Sequence, residues 1–166
     1  MKAAIAALVV AVAAAGVLGG LYATRSTGTK TVAPCGEQRL FGFVRSLAKK
    51  GDTYRMQFDP ALFTSGVTAN TAAAQDHVIA PGTPMPDDNY IVNESRRTYL
   101  YLVPPSTPVS VLTTTSNTAG APITVAQLAD LVAGKTPVKL FEPLDTGFWM
   151  WVHVDTACSL TQQFHP

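Results

Sequence analysis

Residues 40–60 run LFGFVRSLAKKGDTYRMQFDP, and in their second half apolar and polar side chains alternate without a break. Tyr54, Met56 and Phe58 fall on one face and Thr53, Arg55 and Gln57 on the other, the period of two that belongs to a strand with one face on a core. Residues 40–47 are strand-like as well. Lys49, Lys50 and Gly51 lie between the two runs as a turn, so the pair reads as an antiparallel hairpin. Pro60 has no N–H to donate and is expected to end the second strand.

Downstream of this hairpin, residues 68–76 are Ala-rich and read as a short helix with Thr68 near its cap. Pro81, Gly82, Pro84, Pro86, Asp87 and Asp88 then make an exposed loop. Residues 90–92 and 98–103 read as a second hairpin around residues 93–97, which places Arg96 and Arg97 at its tip, and residues 109–113 as another short strand. A firmer local signal follows. Thr124 as N-cap, Gln127 three residues on and the Ile123/Leu128 pair make a capping box with a hydrophobic staple, so a helix starts here. Val125, Leu128, Leu131 and Val132 give it one apolar stripe, and Gly134 ends it. Residues 148–156 read as the last strand and residues 159–163 as a closing turn. Strands outnumber helices and no strand-helix-strand rhythm appears. The expected class is α+β with strands dominant: a small, mostly antiparallel sheet or partly open β-barrel with one or two covering helices.

Upstream, Lys2 precedes 21 uncharged, mostly apolar residues, 3–23, which as a helix span roughly 31 Å, enough to cross a hydrocarbon core. Residues 1–23 therefore read as a transmembrane signal anchor or a cleavable signal peptide, with the anchor favoured because no good cleavage site follows. Residues 24–34 are polar and Thr-rich, a flexible tether, and residues 35–166 form one extracytoplasmic domain. Cys35 and Cys158 are the only cysteines, at the two ends of that domain, and export is the setting in which a disulfide persists. A Cys35–Cys158 bridge is expected.

The chain carries 12 basic and 11 acidic residues, but Lys2, Arg25 and Lys30 all precede Cys35, so the domain itself is slightly acidic. It lacks the basic face that phosphate neutralisation needs, which argues against nucleic acid as a partner. Along residues 148–155, Phe148, Met150, Val152 and Val154 are expected to point into the core. Trp149, Trp151, His153 and Asp155 point the other way. Both tryptophans of the protein beside a His and an Asp could stack a sugar ring or grip a peptide. The same face could instead be packing beneath the helix that starts at Thr124 or an N-terminal strand, with His153 bonded to Asp155 or backbone, and its solvent exposure separates the two. His153 with Asp155 is also the one acid-base pair at strand spacing, which would suit a small hydrolase.

Other constellations are thinner. Ser65 before Gly66 lacks a surrounding G-x-S-x-G. His77, His153 and His165 with Asp59, Asp76, Asp87, Asp88 and Asp155 could meet in space as a metal or acid-base site, though such pairings often arise by chance, and Asp87 with Asp88 lacks the alternating ligands of a calcium loop. No cofactor or metal is expected.

The run Cys35-Gly36-Glu37-Gln38 into Phe43-Val44-Arg45-Ser46-Leu47, with Phe58-Asp59-Pro60-Ala61 and Leu140-Phe141-Glu142-Pro143-Leu144, resembles exported or membrane-anchored bacterial envelope proteins to which no activity is assigned. The resemblance covers residues 35–166 and implies location rather than mechanism. The expected role is an extracytoplasmic binding module held to the membrane by its N-terminal segment, its partner an envelope protein, a peptide or a cell-wall glycan. A hydrolase using His153 and Asp155, and a structural subunit of an envelope complex, are the alternatives.

Overall fold

The computed structural model describes residue 36, residues 38–114 and residues 120–165. The anchor or signal at residues 1–23, the tether at 24–34 and Cys35 lie outside the described residues. Among those described, no helix is long and apolar enough to cross a membrane.

Among the described residues eight strands and two α-helices follow one another as β1 (Gln38–Lys50), β2 (Thr53–Ser65), α1 (Gly66–Gln75), β3 (Asn89–Val92), β4 (Tyr99–Val103), β5 (Val109–Val111), β6 (Ala121–Ile123), α2 (Val125–Val132), β7 (Phe148–His153) and β8 (Thr156–Gln162). Five of them close a barrel. β1 pairs antiparallel with β2 and β7, β2 with β4, and β7 with β8, while β4 and β8 meet in parallel at Leu102 and Thr156. The Leu102 N–H also donates to the Asp155 carbonyl at 2.8 Å. The barrel is thus closed where the sequence suggested partly open. β3 extends the sheet beyond the barrel on β2, and β5 with β6 extends it on β8.

The alternation read in β2 holds. Tyr54, Met56 and Phe58 are buried inside the barrel with Leu47, Val103, Phe148, Met150, Val152, Ala157 and Leu160. The capping box holds too: the Gln127 N–H donates to Thr124 Oγ1, and the Thr124 N–H donates to Gln127 Oε1. Val125 and Leu128 of α2 join the barrel core. The helix therefore docks against that core and does not lie over the tryptophans.

Several expectations are corrected. Lys49 and Lys50 belong to β1, and the turn is Gly51 with Asp52. Pro60 does not end β2, which runs on to Ser65. On its outer edge β2 is paired with β4 through Tyr54–Phe58 and with β3 through Leu62–Ser65, and Pro60 falls in the gap between those two ladders. A residue without an N–H is tolerated where no partner waits for it. The helix begins at Gly66 with Ser65 as N-cap, three residues after which comes the expected cap, Thr68. β3 and β4 do not form a hairpin, because both pair antiparallel with β2, one after the other, as a single strand interrupted at residues 93–98. Arg96 and Arg97 thus lie in a detour rather than at a hairpin tip. The last strand is two: β7 ends at His153, Val154 and Asp155 turn the chain, and the expected closing turn at 159–163 is mostly β8. Val154, expected in the core, is 86% exposed with φ at 55°.

Candidate functional site

The face built by Trp149, Trp151 and His153 lies on the outside of β7, as the alternation required, but neither tryptophan is sealed or fully open. Both are half-buried. Trp149 sits among phenylalanines from the outer faces of the neighbouring strands, 5.1 Å from the Phe41 ring and 5.6 Å from Phe63. Arg39 stacks over its ring at 4.0 Å, and its Nε1 donates to Gln163 Oε1 at 2.7 Å. Trp149 is thus occupied on its faces and at its donor by the protein itself, and much of its stacking capacity is used internally. Trp151 has no such ring partner, and its indole N–H finds no acceptor among the described residues.

His153 is exposed at the end of β7. Asp155 sits in the turn and accepts from the hydroxyl of its own neighbour, Thr156, at 3.1 Å. His153 and Asp155 share no hydrogen bond, so the pairing imagined on one strand face does not form. His77 and His165 are elsewhere: His77 follows α1 with φ at 59°, and the His165 N–H donates to Glu142 at 3.2 Å. Asp76 accepts from the Tyr90 hydroxyl at 2.9 Å, a contact that, after burial of the ring, helps hold the phenol above its ordinary value. Asp87 and Asp88 are exposed. Among the described residues no three His, Cys, Asp or Glu side chains gather as metal ligands.

Cys158 is disulfide-bonded, not free. Cys35, the only other cysteine, lies outside the described residues. Its neighbour Gly36 supports the expected pairing. Gly36 has φ at 114° and approaches the Val152 carbonyl so closely that a Cβ there would fall on it. Val152 is paired with Ala157, next to Cys158 on β8. The start of the domain is thus brought alongside the cysteine near its end.

One cavity was not anticipated. A groove of about 690 Å³ runs between β1 and the chain that follows α2, with Val44, Leu131, Val132, Val138, Leu140 and Leu144 among its apolar walls. Arg45, Lys135 and Lys139 stand at it, opposed by Asp145. Lys135 is already paired with Asp130 at 2.8 Å, whereas Lys139 has no ion pair among the described residues. The groove exists because the segment after α2 returns across the barrel. The Phe141 N–H donates to the Leu112 carbonyl, and buried Gln162 ties the segment down, donating from Nε2 to the Glu142 and Pro143 carbonyls while accepting from Leu112 N–H.

Arg45 is the extra residue of a β-bulge: Val44 faces Phe58 and Ser46 faces Gln57, leaving Arg45 unpaired in the ladder. The bulge turns Arg45 out of the alternation, with its guanidinium 4.9 Å from the Phe43 ring centre. Its Nε and Nη2 both donate to Asp59 Oδ2, at 2.9 and 2.6 Å. Asp59 is 1% exposed. The sequence named it only among scattered acids. The available signal was a charge ending an alternating run just before a proline.

No protein-family model, curated protein or solved structure matches this chain.

Proposed function

We propose that the domain is a binding module of the cell envelope, and that its groove takes a ligand with an apolar body and an acidic end group. The observation that carries this reading is the combination of apolar walls with the unpaired Lys139 and the half-exposed Arg45 in one cavity of about 690 Å³. That size lies within the roughly 300–1,000 Å³ of small-molecule sites. Apolar walls favour a chain or ring system by area removed from water, and the cations select an anion over a cation at the entrance. An acyl chain ending in a carboxylate is the simplest molecule of this description. The N-terminal segment, read as an anchor or export signal, would place the domain outside the cytoplasm, where envelope lipids are at hand. The Cys35–Cys158 bridge fits the same compartment.

A hydrolase acting through His153 and Asp155 is the weaker reading, because the two residues are separated by a turn and Asp155 is engaged by Thr156. Trp151 with His153 remains a second contact surface, for a peptide or glycan, on the strength of an indole N–H without an acceptor among the described residues. Iodide quenching of Trp151, with Trp149 replaced by Phe, tests its accessibility.

The groove is tested by titrating the full chain with decanoate and decyltrimethylammonium, both below their micellar range. The expected result is saturable binding of decanoate, tighter than the cation, and a loss of roughly tenfold or more in Lys139→Glu, the scale of a reversed charge at a desolvated site. Equal binding of the two amphiphiles, or an unchanged affinity in Lys139→Glu, would overturn the assignment.

A further inference from the structure

Arg45 also lines a second cavity, of about 550 Å³, together with Asp59, Asn93, Arg96 and Thr98. Two irregularities of the sheet converge on it. One is the bulge that displaces Arg45. The other is the break at residues 93–98, where the chain leaves β2 after Val92 and returns at Tyr99. Both surround the stretch of β2 at Asp59, and sheet irregularities of this kind gather at functional sites.

The hydrogen bonding of Asp59 is one-sided. Oδ2 accepts from Arg45 Nε, Arg45 Nη2 and Asn93 Nδ2, the last at 3.3 Å. Among the described residues Oδ1 accepts from nothing, and neither does Asn93 Oδ1, although both atoms are buried. Unmet buried acceptors are costly, and a carboxylate oxygen more so than an amide. Asn93 cannot be turned to relieve this, because its amide N–H is already given to Asp59. Two residues lining one cavity therefore each carry a buried acceptor without a donor among the described residues.

The missing donor has a definable chemistry. One group that serves both oxygens needs at least two N–H or O–H bonds; a sugar hydroxyl has one and an ammonium has three. Yet the cavity is lined by Arg45 and Arg96 against the single charge of Asp59, and Arg96 makes no ion pair or side-chain hydrogen bond among the described residues. A lone cation would add to a positive excess. A group that brings an anion with its ammonium does not, since the anion meets Arg96.

We propose that this cavity binds the zwitterionic head of an α-amino acid, with the ammonium on Asp59 Oδ1 and Asn93 Oδ1 and the carboxylate on Arg96. Entry is beneath residues 93–98, which carry no ladder pairing to break. The site shares Arg45 with the groove, but none of its proposed ligand contacts lie there, so it stands or falls without it.

The test is an amide chemical-shift titration of the full chain with glycine and L-alanine, alongside glycinamide, which lacks the carboxylate, and acetate, which lacks the amine. The expected result is saturable shifts at Asn93, Arg96 and Thr98 with both amino acids, and binding at least roughly tenfold weaker for each half-molecule, the factor a lost charge-assisted hydrogen bond carries. Arg96→Gln, which leaves the Arg45–Asp59 pair intact, is expected to lose a similar factor without a change in melting temperature. Absence of saturable shifts up to about 50 mM, far above the millimolar range of weak specific ligands, would overturn the proposal and leave a buried water as the donor. So would glycinamide or acetate binding as well as glycine, or an Arg96→Gln variant that binds normally.

Discussion

Replacing Arg45 by Met leaves the Asp59 carboxylate in place and takes away two of its three donors. The remaining one is Asn93 Nδ2 at 3.3 Å. The Asp59 side chain is 2% exposed and that of Arg45 51%. Breaking a fully buried pair from one side costs about 3–5 kcal/mol, since an uncompensated charge stays behind. Water already reaches the Arg45 side and can follow into the space it vacates, so the cost here is about 2–3 kcal/mol, at or below the lower end of that range. For a domain of this size that corresponds to a fall in melting temperature of about 6–12 °C. Tryptophan fluorescence follows the transition in both heat and urea. The double variant Arg45→Met/Asp59→Leu removes the stranded charge along with its partner and should recover most of the loss. A single variant that melts with the parent, or a double variant less stable than the single, would show that Asp59 does not depend on Arg45.

Other expectations follow from single contacts. Thr124→Ala removes the cap of α2 and should cost about 1 kcal/mol in urea unfolding, with Thr124→Ser close to the parent. Gly42→Ala sets a Cβ onto the Asp59 carbonyl and 2.8 Å from Pro60 Cα, backbone on both counts, and should cost at least as much as overpacking a core, about 1–3 kcal/mol. Cys158→Ser should lower the melting temperature under oxidising conditions by the equivalent of about 2–5 kcal/mol, and reductant should bring the parent down to the same point. Burial of Tyr101, with a smaller contribution from the charge of Tyr99, raises its phenol above the ordinary 10.0. A folded-state value above the unfolded one gives stability that is complete below pH 10 and is lost as pH climbs through the raised value. Tyr101→Phe should flatten that alkaline decline in thermal melts.

What could be read from the sequence was whatever local pattern alone determines. The alternation of Tyr54, Met56 and Phe58, that of Phe148, Met150 and Val152, and the Thr124/Gln127 box all depend on residues within a few positions of one another. Pairing partners do not. β3 and β4 carry the residues of a hairpin, and only the length of β2, hidden by the expectation that Pro60 would stop it, gives both a common partner. The alternation also ran on through Val154 because a β-branched residue is a poor candidate for positive φ, and the chain turns there nevertheless. The β1 bulge did leave a trace: Leu40, Gly42 and Val44 keep a period of two, and the next inward residue is Leu47, three positions on. That slip marks Arg45. The groove left no such trace, since Val44, Leu131 and Leu140 come from distant parts of the chain and meet only once the barrel has closed.

The central claim is that the groove beside β1 is a ligand site, and methyl-resolved NMR of the full chain titrated with decanoate addresses it most directly. The account predicts saturable shifts confined to the methyls of Val44, Leu131, Val138 and Leu140, with Val67 and Leu62, exposed near α1, unmoved. Shifts centred on Val67 and Leu62, or none in the groove at saturating decanoate, would contradict it.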